Sequence, residues 1–192
     1  MNVKATALAE VLLIDLDVFA DQRGHFFERY NEVRFTEHGL PTTFRQDNQS
    51  RSKRNVLRGL HYQLNRPQGK LVSCLRGTVF DVAADIRVGS PTFGAWVGVE
   101  LTEDRPQLLW IPPGFAHGFC AMSDVAEIEY KCTDVYVPSD DRGIVWSDPE
   151  LDIEWPVTRP ILSDRDRGLP KLSSAHGNLP QYVAPSASHA AK

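Results

Sequence analysis

A mainly β chain with few short helices, folded as a sandwich or a barrel, is what this sequence predicts. Two observations carry the prediction. Apolar residues recur with period two over short runs, and Gly/Pro-rich turns separate those runs at close spacing. A third agrees with them: only Glu28 to His38 has room for a helical turn or two, ending at Gly39.

Taken in order, the chain begins with Met1-Asn2-Val3-Lys4 and a short apolar run, Val11-Leu12-Leu13-Ile14, broken by Asp15 and Asp17. That start reads as lacking a secretory leader. Phe80, Val82, Ala84 and Ile86 alternate with Asp81, Ala83, Asp85 and Arg87. Trp96 to Leu101, Gln107 to Ile111, Ala126 to Cys132 and Val135-Tyr136-Val137 are strand-like as well. The punctuation between them is Arg76-Gly77, Gly89-Ser90-Pro91, Glu103 to Pro106, Pro112-Pro113-Gly114 and Pro138 to Asp141. From Ser173 onward Ser, Ala, Pro, Gly and His dominate without periodicity, so one domain over residues 1–172 and a flexible C-terminal tail over 173–192 are expected.

Composition narrows the function classes. The chain has 192 residues, 42% hydrophobic and 24% charged, with net charge −4, which suits a water-soluble domain able to bury a core without disulfides. The mild acidity gives no electrostatic case for nucleic acid or an anionic membrane as the main partner. No run approaches the roughly 20 apolar residues of a membrane span. Cys74, Cys120 and Cys132 are odd in number, lie in apolar stretches and form no Cys-x-x-Cys, which suits a reducing compartment. A cytoplasmic protein is expected.

Six clusters carry candidate chemistry. In Asp21-Gln22-Arg23-Gly24-His25-Phe26-Phe27-Glu28, Arg23 can meet an anion and Phe26 can pack on a ring; the same residues make an ordinary loop. Gln46, Asp47 and Asn48, with Ser50 and Ser52, offer amides and hydroxyls for a sugar or a pyrimidine edge, or for a turn network. Leu57-Arg58-Gly59-Leu60-His61-Tyr62-Gln63, followed by Gln68-Gly69-Lys70, sets an imidazole between cations. Histidine titrates nearest neutrality, and a fixed cation favours developing negative charge, as proton abstraction beside a carbonyl requires. Strict alternation would send Arg58 and His61 to opposite faces; a bulge at Gly59 is the condition for both to reach one pocket.

The Pro112-Pro113-Gly114 turn delivers His117 onto the next strand. Together with His61 this resembles the paired motifs of cupin barrels, which hold a metal with His and Glu. Here the first motif reads His61-Tyr62-Gln63, and two separated histidines make a poor transition-metal site. A cupin-type barrel (jelly roll) without a metal requirement follows from that resemblance. In Ala126 to Thr133, alternation turns Tyr130 inward as a core residue or a proton donor. Ser163-Asp164-Arg165-Asp166 supplies late acids able to orient a histidine, or to cap a helix.

In order, these motifs are Asp-x-Arg-Gly-x-Phe-x-Glu, Gln-Asp-Asn-x-Ser-x-Ser, Leu-Arg-Gly-Leu-His-Tyr-Gln, Gln-Gly-Lys-Leu-Val, the long Val79-to-Gly94 motif, Pro-x-Gly-x-x-His-Gly-Phe and Tyr-Lys-x-Thr-Asp-x-Tyr. That succession, over about residues 9 to 172, resembles the dTDP-4-dehydrorhamnose 3,5-epimerase family. The resemblance implies a cupin-type barrel, a homodimer, no metal and no organic cofactor. It implies dTDP-4-keto-6-deoxy-D-glucose as substrate, epimerised at both carbons flanking the ketone. Carried over by motif, His61 is the base, Asp166 its partner, Lys70 the enolate stabiliser and Tyr130 the opposite-face acid. Arg23, Glu28, Gln46, Asn48, Arg58, His117 and Arg165 match substrate-binding positions, with Asp141 the nearest match to a family Glu. The Ser163–Asp166 stretch departs from the family's Ser-x-Lys-Asp, which leaves Asp164 a second candidate partner for His61. A relative that epimerises a single carbon and a non-catalytic sugar-nucleotide-binding cupin are the competing expectations.

Overall fold

The period-two runs become strands because β-branched and aromatic residues fill one or both faces of a pleated surface. The computed structural model describes residues 1–184. Strands β1 (Asn2–Ala5), β2 (Leu12–Asp15), β3 (Val18–Asp21) and β4 (Gly24–Phe27) precede helix α1 (Glu32–Glu37). Strands β5 (Gln46–Lys53), β6 (Leu57–Gln63), β7 (Lys70–Arg76), β8 (Thr78–Asp85) and β9 (Trp96–Thr102) follow. Next come β10 (Gln107–Ile111), β11 (Phe115–Ala121), β12 (Val125–Cys132), β13 (Asp141–Gly143) and the one-turn helix α2 (Asp164–Arg167).

Two antiparallel sheets form the barrel walls, in the orders β1-β2-β10-β7-β12-β5 and β13-β6-β11-β8-β9, while β3 and β4 make a separate hairpin. Between the sheets Val72, Leu109, Ile111 and Ile128 meet Val79, Ala83, Leu101, Phe115 and Phe119. The outer face of the five-stranded sheet is buried too: Leu60, Val82, Ala84 and Ile86 pack under Ile144, Leu151, Leu172, Ala175 and Leu179. On the far side, Phe35 of α1 and Leu40 cover Ile14, Leu71, Leu108 and Trp110. Strand β8, expected to alternate, is instead a central strand covered on both faces.

Helix α1 is shorter than the segment Glu28 to His38. The Asn31 side chain accepts from the Val33 and Arg34 amides and so starts the helix at Glu32. Gly39 follows its end at φ +67°. The expected strand Val135-Tyr136-Val137 does not form. Its amides donate to side chains instead, Tyr136 N to Gln46 Oε1 and Val137 N to Gln63 Oε1, each at 2.6 Å. Those two glutamines satisfy the backbone as a neighbouring strand would.

The expected flexible tail is corrected over its first part. Leu172, Ala175 and Leu179 are buried at 2%, 4% and 5% exposure. Gln181 bridges Val88 in parallel, and Tyr182 lies over the Arg87 guanidinium at 5.0 Å. Sparse but well-placed apolar residues outweigh a turn-rich composition here, because the sheet face beneath needs a cover. The rest of the expected tail, 185–192, lies outside the described residues. The three cysteines are free, with Cys120 and Cys132 buried and Cys74 half-buried.

Candidate active site

Side chains from both sheets line one cavity of about 600 Å³. The six-stranded sheet contributes Gln46, Asn48 and Ser50 of β5, Lys70 of β7 and Tyr130 of β12. The five-stranded sheet contributes Arg58, His61 and Gln63 of β6, His117 of β11 and Asp141 of β13. Arg165 and Asp166 of α2 close one side.

Arg58 and His61 reach this cavity together because β6 bulges. His117 pairs with His61, but Phe119 pairs with Arg58, so three steps on β6 oppose two on β11. Gly59 permits this at φ +119°. A Cβ there would lie 2.6 Å from Gly118 Cα and 2.7 Å from the His117 carbonyl oxygen. The condition stated for Gly59 from sequence is met.

The two facing histidines each lean on a carboxylate. His61 Nε2 lies 2.7 Å from Asp166 Oδ1. Burial pushes the Asp166 carboxyl up, but the His61 hydrogen bond and charge, with the Ser163 hydroxyl bond, outweigh it and hold the group below the ordinary carboxylate range. An ionised Asp166 keeps the proton on Nε2 and leaves the other ring nitrogen with its lone pair, free to act as a base. Asp164 is fully exposed and among the described residues pairs only with Arg167, so of the two candidates Asp166 is the one against His61.

His117 Nε2 lies 3.0 Å from each oxygen of Asp81, a residue with no exposed surface. Burial drives His117 below the ordinary histidine range, further than the Asp81 charge pulls it back, so it is neutral at pH 7. Asp81 was missed from sequence. Its strand reads as alternating, and a charge on an alternating strand reads as solvent-facing; the usable signal was that Asp81 and Asp85 share a row with the apolar Val79 and Ala83.

Lys70 is 9% exposed and has no salt bridge among the described residues. Burial lowers its pKa, against opposing pulls from Cys132, Asp141 and Asp81. Tyr130 is pushed up by burial and stays protonated through neutral pH. The ring of His117 meets Tyr130 edge-on at 6.2 Å between centroids. Arg58 donates to Ser52 Oγ at 3.1 Å, and Gln46 donates to Asn48 Oδ1 at 2.9 Å. The arrangement offers a base held by a carboxylate on one sheet, a phenol and an ammonium on the other, and further cations at Arg58 and Arg165.

Four expected binding residues lie elsewhere. Asp47 points to the opposite face of β5 from Gln46 and Asn48, and pairs with Lys131 at 2.7 Å. Arg23, Phe26 and Glu28 sit on or beside the β3–β4 hairpin, outside the cavity. Arg23 pairs with Asp21 at 2.6 Å, Glu28 with Arg34 at 3.4 Å, and Phe26 is 68% exposed.

Comparison with known proteins gives one consistent answer. A curated protein of Pseudomonas aeruginosa, dTDP-4-dehydrorhamnose 3,5-epimerase, is 55% identical over 169 residues, covering 86% of this chain and 93% of that one. A solved dTDP-6-deoxy-D-glucose-3,5-epimerase of Legionella pneumophila, in complex with dTDP-4-keto-L-rhamnose, superposes with TM-score 0.92. It is 47% identical, and the match covers 95% of this chain and 99% of that one. A dTDP-4-dehydrorhamnose 3-epimerase of Streptomyces niveus is 41% identical, over 95% of this chain and 90% of its own. With the family model for dTDP-4-dehydrorhamnose 3,5-epimerase matching residues 5–174, nearly the whole barrel and its cavity, the chain belongs to that family and has its cupin-type fold.

Proposed function

We propose that this chain epimerises dTDP-4-keto-6-deoxy-D-glucose at C3 and C5, giving dTDP-4-keto-L-rhamnose. One observation carries the reading: His61 with Asp166 stands on one sheet and Tyr130 on the other, with Lys70 in the same cavity. A sugar lying between the sheets has a base on one face and an acid on the other.

In this reading His61 takes the proton from a carbon beside the ketone. The C–H electron pair moves into the enolate, and the charge lands on the C4 oxygen. A carbon acid is much weaker than imidazolium, and each unit of mismatch costs about 1.4 kcal/mol. Lys70, itself buried, supplies the compensating positive charge at that oxygen. Asp166 fixes the tautomer and stabilises the imidazolium. Tyr130 then donates its hydroxyl proton to the carbon from the opposite face, which inverts the centre; the tyrosinate regains a proton from solvent, and the His61 imidazolium releases its own to solvent. Gln46, Asn48, Arg58, His117, Asp141 and Arg165 hold the substrate. No metal or organic cofactor enters any step.

We infer a homodimer. Phe19 and Phe26 are 65% and 68% exposed on the β3–β4 hairpin, an apolar surface that suits an interface. Arg23, Phe26 and Glu28 keep a substrate-binding role if that hairpin reaches the cavity of a second copy; Asp47 does not, since Lys131 holds it on the outer face. A cytoplasmic location is supported by three free thiols. No helix among the described residues is long and apolar enough to cross a membrane.

The second reading, epimerisation of one carbon, is favoured by the Streptomyces niveus 3-epimerase relative. Deuterium washout separates the two. Incubation with the keto-sugar nucleotide in D2O is expected to exchange both flanking carbons. Exchange at one carbon establishes the second reading, and exchange at neither removes both. His61→Asn is expected to slow washout about 10³-fold.

A further inference from the structure

A run of side-chain hydrogen bonds follows the inner wall made by β5, and one end of it fixes its direction. The Tyr136 backbone N–H, in the irregular segment between β12 and β13, can only donate, and it meets Gln46 Oε1 at 2.6 Å. The Gln46 carbonyl is thereby spent on the backbone, and its Nε2 donates to Asn48 Oδ1 at 2.9 Å. That orients the Asn48 amide in turn, and its Nδ2 donates to Cys132 Sγ at 3.6 Å. Reversing either amide alone would set N–H against N–H. The relay therefore runs one way, from a backbone donor to a thiol.

Cys132 closes the relay from behind the wall. It has no exposed surface and is not among the residues that line the cavity. On β12 it stands between two cross-strand partners, Gln46 of β5 and Lys70 of β7. Burial pushes the thiol up, further than the Lys70 charge and the Asn48 bond pull it back, so the sulfur is uncharged at pH 7. A neutral sulfur is a weak acceptor. It satisfies the Asn48 N–H without forming the ion pair with Lys70 that a carboxylate at this position would form, and Lys70, 9% exposed, has no ion-pair partner among the described residues. Each amide nitrogen carries two hydrogens and the relay uses one of each, so Gln46 and Asn48 both keep an N–H while both carbonyls are engaged. Both side chains line the cavity beside Lys70, which has donors only. A wall of this kind suits a ketone, enolate or phosphate oxygen.

We propose that Cys132 is a positioning residue for the reaction. Its sulfur ends the relay, holds Asn48 and through it Gln46 with their free N–H groups toward the substrate, and so fits the β5 wall to oxygen acceptors without touching the ligand itself. This rests on the nucleotide-sugar reading above.

The test uses the full chain with the keto-sugar nucleotide as substrate. Cys132→Ala leaves a buried Asn48 N–H without an acceptor, and is expected to raise KM about fivefold while kcat stays within about twofold. Cys132→Ser returns an acceptor of nearly the same size, and is expected to bring KM back to within about twofold of wild type. In an Asn48→Ala background, adding Cys132→Ala is expected to change KM less than about twofold, because a residue that acts only through Asn48 then has nothing to act on. A readout without substrate is the side-chain amide proton signal that NMR loses in Asn48→Ala; it is expected to shift in Cys132→Ala. An unchanged KM in Cys132→Ala, or an equal loss in the Ala and Ser variants, overturns the proposal. So does a full further loss in the Asn48→Ala background, which marks Cys132 as packing alone. An unmoved amide signal overturns the relay directly. Cys132→Val, apolar and without an acceptor, carries the same expectations if the Ala variant does not fold. A wild-type chain that exchanges neither flanking carbon in D2O overturns the functional reading, and this inference with it; normal wild-type exchange with any of the contrary results overturns the inference alone.

Discussion

Lys70 sets a constraint on rate that no other residue of the cavity shares. In the proposed mechanism it must be charged to hold an enolate, and burial lowers its pKa from the ordinary 10.5. Tyr130 moves the other way, raised by burial above 10.0. On raising the pH, Lys70 therefore loses its proton first. The alkaline limb of kcat is expected below pH 10.5, to persist in whatever activity Tyr130→Phe retains, and to move upward in Lys70→Arg; stopped-flow rates across pH check all three. His61, Lys70 and Tyr130 were legible in sequence because short motifs name them. Asp81 was not, because the row it shares with Val79 and Ala83 becomes inward-facing only when β8 finds neighbours on both edges. Arg23, Phe26 and Glu28 were legible as a motif but not as a place, since a motif does not say that its hairpin lies outside the cavity lining.

At the scale of elements, the bulge in β6 decides whether the cavity has a catalytic wall. Gly59→Ala would force a Cβ against Gly118 Cα at 2.6 Å and require an alanine at φ +119°. The expected cost is about 3 kcal/mol from strain and overpacking together, read as a fall in urea midpoint. Activity is expected to fall further than stability alone explains, because β6 pushed off β11 carries Arg58 and His61 apart. An alanine variant as active and as stable as wild type would remove the bulge from the account. Period-two counting identified β8, β9, β10 and β12 but not the fate of Val135 to Val137, where Gln46 and Gln63 replace a strand partner. Side-chain capping of backbone is set by tertiary neighbours, and no local pattern announces it.

The whole molecule is most exposed to acid. His117 is lowered from 6.5 by burial. Asp85, raised by burial but lowered further by its bonds to Arg87, Ser90 and Thr92, and Asp166 both lie below 3.8. For each group the unfolded chain takes the proton more readily, so each contributes stability that is full above the unfolded value and is lost as pH falls through the folded one. Urea unfolding is expected to show a first decline as pH falls below 6.5, flattened in His117→Asn, and a second below 3.8. A stability that rises on acidification through either window contradicts these assignments. Composition misjudged residues 173–182 for a related reason: covering a sheet takes only a few apolar side chains, here Ala175 and Leu179 with the Tyr62 hydroxyl donating to Asn178 O at 2.8 Å.

The dyad in the cavity joins residues 105 positions apart, and its acid comes late in the chain. A ribosome releases His61 long before Asp166. Both sheets can be complete once β13 has emerged, yet the imidazole still lacks its acceptor and the outer sheet face still lacks its cover. A fragment that ends before Asp166 leaves the His61 imidazole without that acceptor, however its strands pair. In the proposed mechanism a working base waits on residues beyond β13, and turnover reports that translation has passed Asp166.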